Sequence, residues 1–417
     1  MSDEKFIFSA GAKKNIFIVL IVGLVLAAIG IVMMNMGGHD AHGAEAAHGE
    51  GHGFHWTQRL YANLWINNLF FVGLSAIGIF FIAIQYVSQA GWSVGLKRIP
   101  MAMASWLPIG AVLMIVVFLI ANHDLFHWTH EYLYDKADPR FDPILDAKKG
   151  YLSFGFYMAR MVIFFGVWYM FFIQIRKQML AEDLDGGVAH WKKSMALSAG
   201  FLVFFGYSSS IAAWDWVMSI DPHWFSTMFG WYVFASWWVS GLALISYIAI
   251  LLKDRGYLVI VNENHLHDLG KFVWAFSIFW TYIWFSQFLL IYYANIPEET
   301  IYFVERWKSD QYSGYFFLNL ILNFFMPFLL LLPRDAKRHS RFMKVVAPII
   351  LFGHWIDFYL MITPGTLKEN GGFGLLEIGL LMVYASAFIY TVLHSLAKHP
   401  LVAKNHPMME ETLHHHI

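Results

Sequence analysis

The chain has 417 residues, of which 58% are hydrophobic, 18% aromatic and only 14% charged. Soluble domains carry about 25% charged residues, so the composition excludes an ordinary soluble protein, and a net charge of −1 argues against nucleic acid or another polyanion as the target. With no cysteine, disulfides, cysteine-ligated iron–sulfur clusters and covalently attached c-type haem are excluded on this chain.

The stretch from Met1 to Asn15 carries charges, and no small-residue cleavage site follows the next apolar run, so a retained first helix is expected. A spanning helix needs about 20 mostly apolar residues. Ten segments qualify, at 15–34, 65–87, 103–122, 152–174, 195–218, 227–252, 271–293, 312–332, 343–363 and 375–396. The expected fold is an all-α integral membrane protein, a single transmembrane domain over 1–417. With the N-terminus in the cytoplasm, the inner connections and helix ends hold 19 of the 28 lysines and arginines and the outer ones 8. That asymmetry places both termini inside.

The first outer loop, 35–60, is rich in Gly and holds His39, His42, His48, His52 and His55. A metal-binding tract has this composition, but Gly-rich spacing fixes no geometry, and a flexible solvated loop is expected. The second, 122–151, is acidic through Asp124, Glu131, Asp135, Asp138, Asp142 and Asp146, a surface for a partner subunit or for solvent. Residues 397–417 read as a cytoplasmic tail with an exposed end at His414–Ile417. Pro108, Pro327, Pro348 and Pro364 fall in or beside helices, which they kink or end. No connection is long enough for a soluble catalytic domain.

The chain is organised around the run from Trp214 to Gly230, which joins the fifth and sixth segments and carries Asp215, Asp221 and His223. An ionisable group at membrane depth is costly and marks a functional candidate. With the orientation above, His123, Asp124, Arg160, Asp215, Asp221, His223, His354, Asp357 and Glu377 all fall at or beyond the outer half. The inner half holds little that ionises beyond His394. His354 and Asp357 lie three residues apart on one helix face, where a histidine beside a carboxylate can pass a proton. Arg160 requires an anion, and Asp215 or Asp357 would serve. Helix-to-helix pairing is the alternative role for each group, but several costly groups at one depth favour function. Ser208, Ser209 and Ser210 would extend a path from Asp215, although hydroxyls more often bond along or across helices. Trp214, Trp216, Trp224, Trp231, Trp237, Trp238, Trp280 and Trp284 fit interfacial belts. Haem b needs paired axial histidines; only His354 and His394 lie within segments, at different depths, so bound haem is not expected.

The Trp-Asp-Trp…Asp-Pro-His-Trp-Phe-Ser-Thr-Met-Phe-Gly run over 214–230, together with Gly353-His354-Trp355-Ile356-Asp357 and ten helices with both ends inside, resembles the F membrane subunits of alternative complex III. That assembly is a bacterial quinol:cytochrome c oxidoreductase whose membrane subunits resemble the NrfD, or polysulfide reductase, family. The resemblance spans nearly the whole chain. It implies two four-helix bundles, segments two to five and six to nine, with segments one and ten outside them, in the bacterial cytoplasmic membrane. It implies a paralogous C-type membrane subunit, iron–sulfur and cytochrome c subunits as partners, and haem c and the clusters held by those partners. The quinol site is expected chiefly in the C-type subunit, with menaquinone or quinol nearby, so this chain would carry no redox centre. Its implied contribution is to support quinol oxidation and proton translocation, with Asp215 and Asp357 as proton carriers, His354 as relay, Arg160 tuning them, and Asp221 and His223 as the outer exit. His123, Asp124 and Glu377 complete the candidates. Two alternatives are a quinone-binding anchor of a molybdoenzyme-type reductase and a stand-alone ion transporter.

Overall fold

The computed structural model describes residues 4–41 and 55–416. Among the described residues, ten helices are long and apolar enough to cross a membrane: α1 (Ala10–Met36), α2 (Trp56–Val87), α3 (Arg98–Leu125), α4 (Phe154–Asp185), α5 (Ala189–Ile220), α6 (Phe229–Asp254), α7 (Glu263–Ala294), α8 (Ser313–Leu331), α9 (Ser340–Asn370) and α10 (Leu375–Leu396). The protein is an all-α, multi-pass membrane protein. Most of the helices run several residues past the expected segments, because polar ends such as Arg176 to Asp185 of α4 continue the helix beyond its apolar stretch. His39, His42, His48 and His52 lie outside the described residues or where no side chain is described.

The central helices are α2, α6 and α9, whose apolar windows are 83%, 89% and 72% buried, against 17% for α1. In membrane helices, close packing and interhelical hydrogen bonds replace the hydrophobic drive available in water. Both operate here. Gly73 of α2 lies against the Trp237 indole, so close that a Cβ there would stand 1.9 Å from the ring. The same indole donates to the Leu69 carbonyl at 3.1 Å. Trp65 donates to the Trp216 carbonyl at 2.8 Å, and Trp355 to Asn67 Oδ1 at 3.1 Å, tying α2 to α5 and α9. These tryptophans therefore stitch helices inside the protein. Of the eight expected in interfacial belts, Trp216, Trp224, Trp237, Trp238, Trp280 and Trp284 are buried, and only Trp231 is largely exposed.

Around this centre α2 packs on α3, α5, α6 and α9; α4 packs on α5, α7 on α6 and α8, and α8 on α9. The first and last spans, α1 and α10, form a pair of their own. Within α8, residues Ile321–Phe325 form a π-helical turn. Pro327 follows it and has no N–H to donate to the carbonyl four residues back, which accounts for the local rewinding.

The termini meet. Lys5 bridges to Pro400, and the Glu4 carbonyl accepts from the Leu401 N–H at 2.9 Å. The face carrying them is called terminal below, and the opposite face distal. Of the end expected to be exposed, His414 and His416 are exposed, but the residues before them and His415 are docked. Met409–Leu413 forms a helical turn against Gly91–Leu96, Thr412 is buried, and the His415 ring bonds Asp268 at 2.7 Å. Its polar side chains find partners in the Gly91–Leu96 connection and in the first turns of α7, which an isolated reading of a histidine-rich end could not supply.

Candidate functional site

The distal connections enclose a cavity of about 690 Å³ whose lining includes His55, His123, Asp124, His127, His130, Asp221, His223, Glu298, Tyr302, Glu305 and Lys368. The second distal loop is ordered by its own acids. Asp142 caps the short helix Pro143–Lys148 by accepting from Ile144 and Leu145, and its other oxygen meets His223 Nε2 at 2.5 Å. Burial lowers the pKa of His127, with Lys368 and His223 adding to the effect. Burial and the neighbouring Asp221 push Glu305 above the usual carboxylate range, against Arg306 and Lys368. The basin thus gathers ionisable side chains from several distal connections. No group of three or more His, Asp or Glu side chains among the described residues is arranged to hold a metal ion.

Beneath the basin lies the amphipathic helix Pro297–Trp307. Arg306 turns inward from it, buried, donating to the carbonyls of Tyr302, Leu360 and Met361 at 2.6, 2.8 and 3.2 Å. Its guanidinium lies 3.4 Å from the Tyr302 ring centroid and 3.8 Å from Asp221. Tyr302, Arg306, Tyr232 and Asn319 also line a second cavity of about 10 Å³, the scale of a single water molecule.

That small cavity adjoins the deepest acid. Asp357 is fully buried and accepts three hydrogen bonds from neutral donors: the Tyr232 hydroxyl, Asn319 Nδ2 at 2.9 Å and Trp280 Nε1 at 3.0 Å. The donors come from α6, α8 and α7, and Asp357 from α9, so all four helices converge on one carboxylate. The π-helical turn places Asn323 beside Asn319, to which it donates at 2.5 Å. His354 stands one turn before Asp357, with Nδ1 3.9 Å from Oδ2, beyond hydrogen-bond range. Nδ1 instead shares a 3.0 Å hydrogen bond with Ser236, and Nε2 is buried without a partner among the described residues. No lysine or arginine lies within ion-pair distance of Asp357 among the described residues.

Asp215 differs. Arg160 reaches it with a two-pronged contact, Nε to Oδ2 at 2.6 Å and Nη2 to Oδ1 at 3.0 Å, while Nη1 donates to the Tyr151 carbonyl at 3.1 Å. Tyr151 and Phe156 rings flank the guanidinium at 3.9 and 4.3 Å. The anion that Arg160 requires is therefore Asp215. Glu377 forms a third centre. Arg59 forks onto it at 2.7 and 2.8 Å, Asn63 donates at 2.9 Å and the Gly374 N–H at 2.7 Å.

The nine sequence candidates thus divide. His123, Asp124, Asp221 and His223 share the basin; Arg160 pairs with Asp215; Glu377 stands apart with Arg59; His354 and Asp357 occupy the centre. Among the described residues the serine row makes no hydrogen bond to Asp215: Ser208 accepts from Trp168 at 2.8 Å and Ser210 bonds back to Gly206. Sequence reasoning missed Arg306, because the helix carrying it is too short and polar to look like more than a loop. It also missed a buried ionic group on the terminal face, contrary to the expectation that the inner half holds little beyond His394. There Lys97 Nζ meets His406 Nε2 at 2.7 Å, Glu182 Oε1 lies 4.0 Å from that nitrogen, and Arg98 pairs with Asp183. Lys97 and His406 are both buried, and burial lowers both pKa values, that of His406 to about 3.

The chain matches no protein-family model and no curated protein.

Proposed function

We propose that this chain is a non-redox membrane subunit of an alternative-complex-III-type quinol:cytochrome c oxidoreductase, seated in the bacterial cytoplasmic membrane with the terminal face inside. Within that assembly it supports quinol oxidation by moving protons. Haem c, iron–sulfur clusters and the main quinol site belong to its partners, among them a paralogous C-type membrane subunit.

The observation that carries the proton role is the row of groups from the basin to Asp357. Asp221 and Tyr302 face the basin; Arg306 and Tyr302 lead inward; Tyr232 and Asn319 reach from the small cavity to the carboxylate. Three neutral donors, and no lysine or arginine among the described residues, hold the Asp357 carboxyl. A carboxylate held this way can take up a proton with little rearrangement, since a hydroxyl or amide can turn to a neighbour. His354 would relay that proton once its ring turns from Ser236, since the nitrogen nearer Asp357 is Nδ1 and the unengaged one is Nε2. Arg160 and Arg59 instead hold Asp215 and Glu377 as fixed ion pairs, which suits positioning of helices.

The first test is gentle purification from the native membrane, followed by subunit mass identification and a visible spectrum. Co-purified c-type haem, an iron–sulfur subunit and a second multi-helix subunit are expected. A single colourless polypeptide would overturn the assignment in favour of a stand-alone transporter. A molybdopterin-binding partner without cytochrome would make the chain a reductase anchor.

A further inference from the structure

On the terminal face, where α4 meets the segment following α10, positive charge and hydrogen-bond donors outnumber acceptors. Arg176 of α4 is partly buried and pairs with no carboxylate among the described residues; its Nη2 donates to His399 Nε2 at 3.2 Å. An imidazole nitrogen that accepts is unprotonated, so His399 adds no negative charge and keeps its other N–H as a donor. Burial, then the cations Arg176, Arg98 and Lys398, lower the His399 pKa, with only Asp183 opposing them. Asp183 is already engaged, by Arg98 and by the Lys404 backbone N–H at 3.1 Å. Arg98 itself is buried, and its Nε–H has no acceptor among the described residues. Arg176, Arg98 and Lys398 thus face one acid. The neighbouring Lys97 and Glu182 carry opposite charges and leave that surplus unchanged.

We propose that this surface binds the phosphodiester of an anionic phospholipid, with Arg176 as its principal ligand, Lys398 and the second His399 ring nitrogen completing the cradle, and the buried Arg98 adding positive field behind them. A planar guanidinium matches two phosphate oxygens at once. The depth fits a headgroup: Arg176 lies about 33 Å along α4 from Phe154 at a rise of about 1.5 Å per residue, close to the hydrocarbon thickness of about 30 Å. An apolar track runs from Arg176 into the membrane. Ile173 and Tyr169, one and two turns toward the distal face on the same side of α4, are 44% and 37% exposed and offer a surface for an acyl chain.

The full chain, in whatever complex it purifies with, is delipidated in neutral detergent and titrated with phosphatidylglycerol, phosphatidylcholine or inorganic phosphate, with bound lipid counted by native mass spectrometry. Wild type is expected to retain phosphatidylglycerol preferentially. Arg176→Gln removes that preference, and Lys398→Gln, at an exposed position that folding tolerates, weakens it about fivefold, as expected for one interfacial cation. Lys177→Gln, one residue along the same helix, leaves it unchanged. Equal retention of phosphatidylcholine, competition by inorganic phosphate at the same concentration, or wild-type preference in both Arg176→Gln and Lys398→Gln would each overturn the proposal.

Discussion

Arg160 and Asp215 face each other through two nearly parallel hydrogen bonds, 2.6 and 3.0 Å long, inside a wall of aromatic rings. Neither charge has another full partner, so removing one strands the other. Truncating one member of a buried ion pair costs about 3–5 kcal/mol. Asp215→Asn and Arg160→Gln should each lower stability by that order, and the double variant should lose less than their sum. A double-mutant cycle on thermal unfolding in detergent measures the coupling.

Asp357→Asn should behave differently. The asparagine keeps an acceptor toward Tyr232 and Asn319 but turns its NH2 against the Trp280 N–H, a loss of about 1–3 kcal/mol. The complex is therefore expected to assemble while protons moved per electron fall. Proton release from reconstituted vesicles, set against electron flux in the same sample, checks this. Failure of assembly alone would make Asp357 a structural residue.

Glu377→Gln leaves Arg59 without its counter-ion and weakens the Gly374 cap of α10. A loss of about 3–5 kcal/mol is expected on the same grounds. It should act locally, speeding proteolysis in the connection between α9 and α10 before the rest of the protein opens.

The docked C-terminal end should respond to pH through His406. Burial, then Lys97 and Arg98, depress its folded pKa to about 3 from the ordinary 6.5. The folded form therefore binds fewer protons than the released form between those values. Docking contributes its full stability above about pH 6.5 and loses it as pH falls toward the folded value. Protease access to residues 401–416 should rise on moving from pH 7.5 to pH 5, and His406→Gln should flatten that dependence.

The spans were legible because a membrane helix announces itself by composition alone, and alternation of direction then sorted the nine candidates onto the distal half. Pairing was not legible. That Arg160 takes Asp215, 55 residues away, and that Glu377 takes Arg59, 318 residues away, depends on which helices become neighbours. Lys97, Arg98 and Glu182 read as ordinary charges at helix ends, and their burial beside His406 depends on the segment after α10 returning over them. Arg306 was hidden for another reason. A short helix of mixed polarity carries no hydropathy signal, so a buried arginine on it reads as loop.

The pairing of α1 with α10 orders events during synthesis. Gly23 and Gly379 approach so closely that a Cβ on Gly23 would stand 2.8 Å from the Gly379 carbonyl oxygen, and one on Gly30 would stand 2.6 Å from the Leu376 nitrogen. Of the ten spans, the first in chain order thus has its mate in the tenth, and α1 waits in lipid while the eight between them insert. Any product truncated before α10 leaves the small-residue face of α1, at Gly23 and Gly30, without its partner.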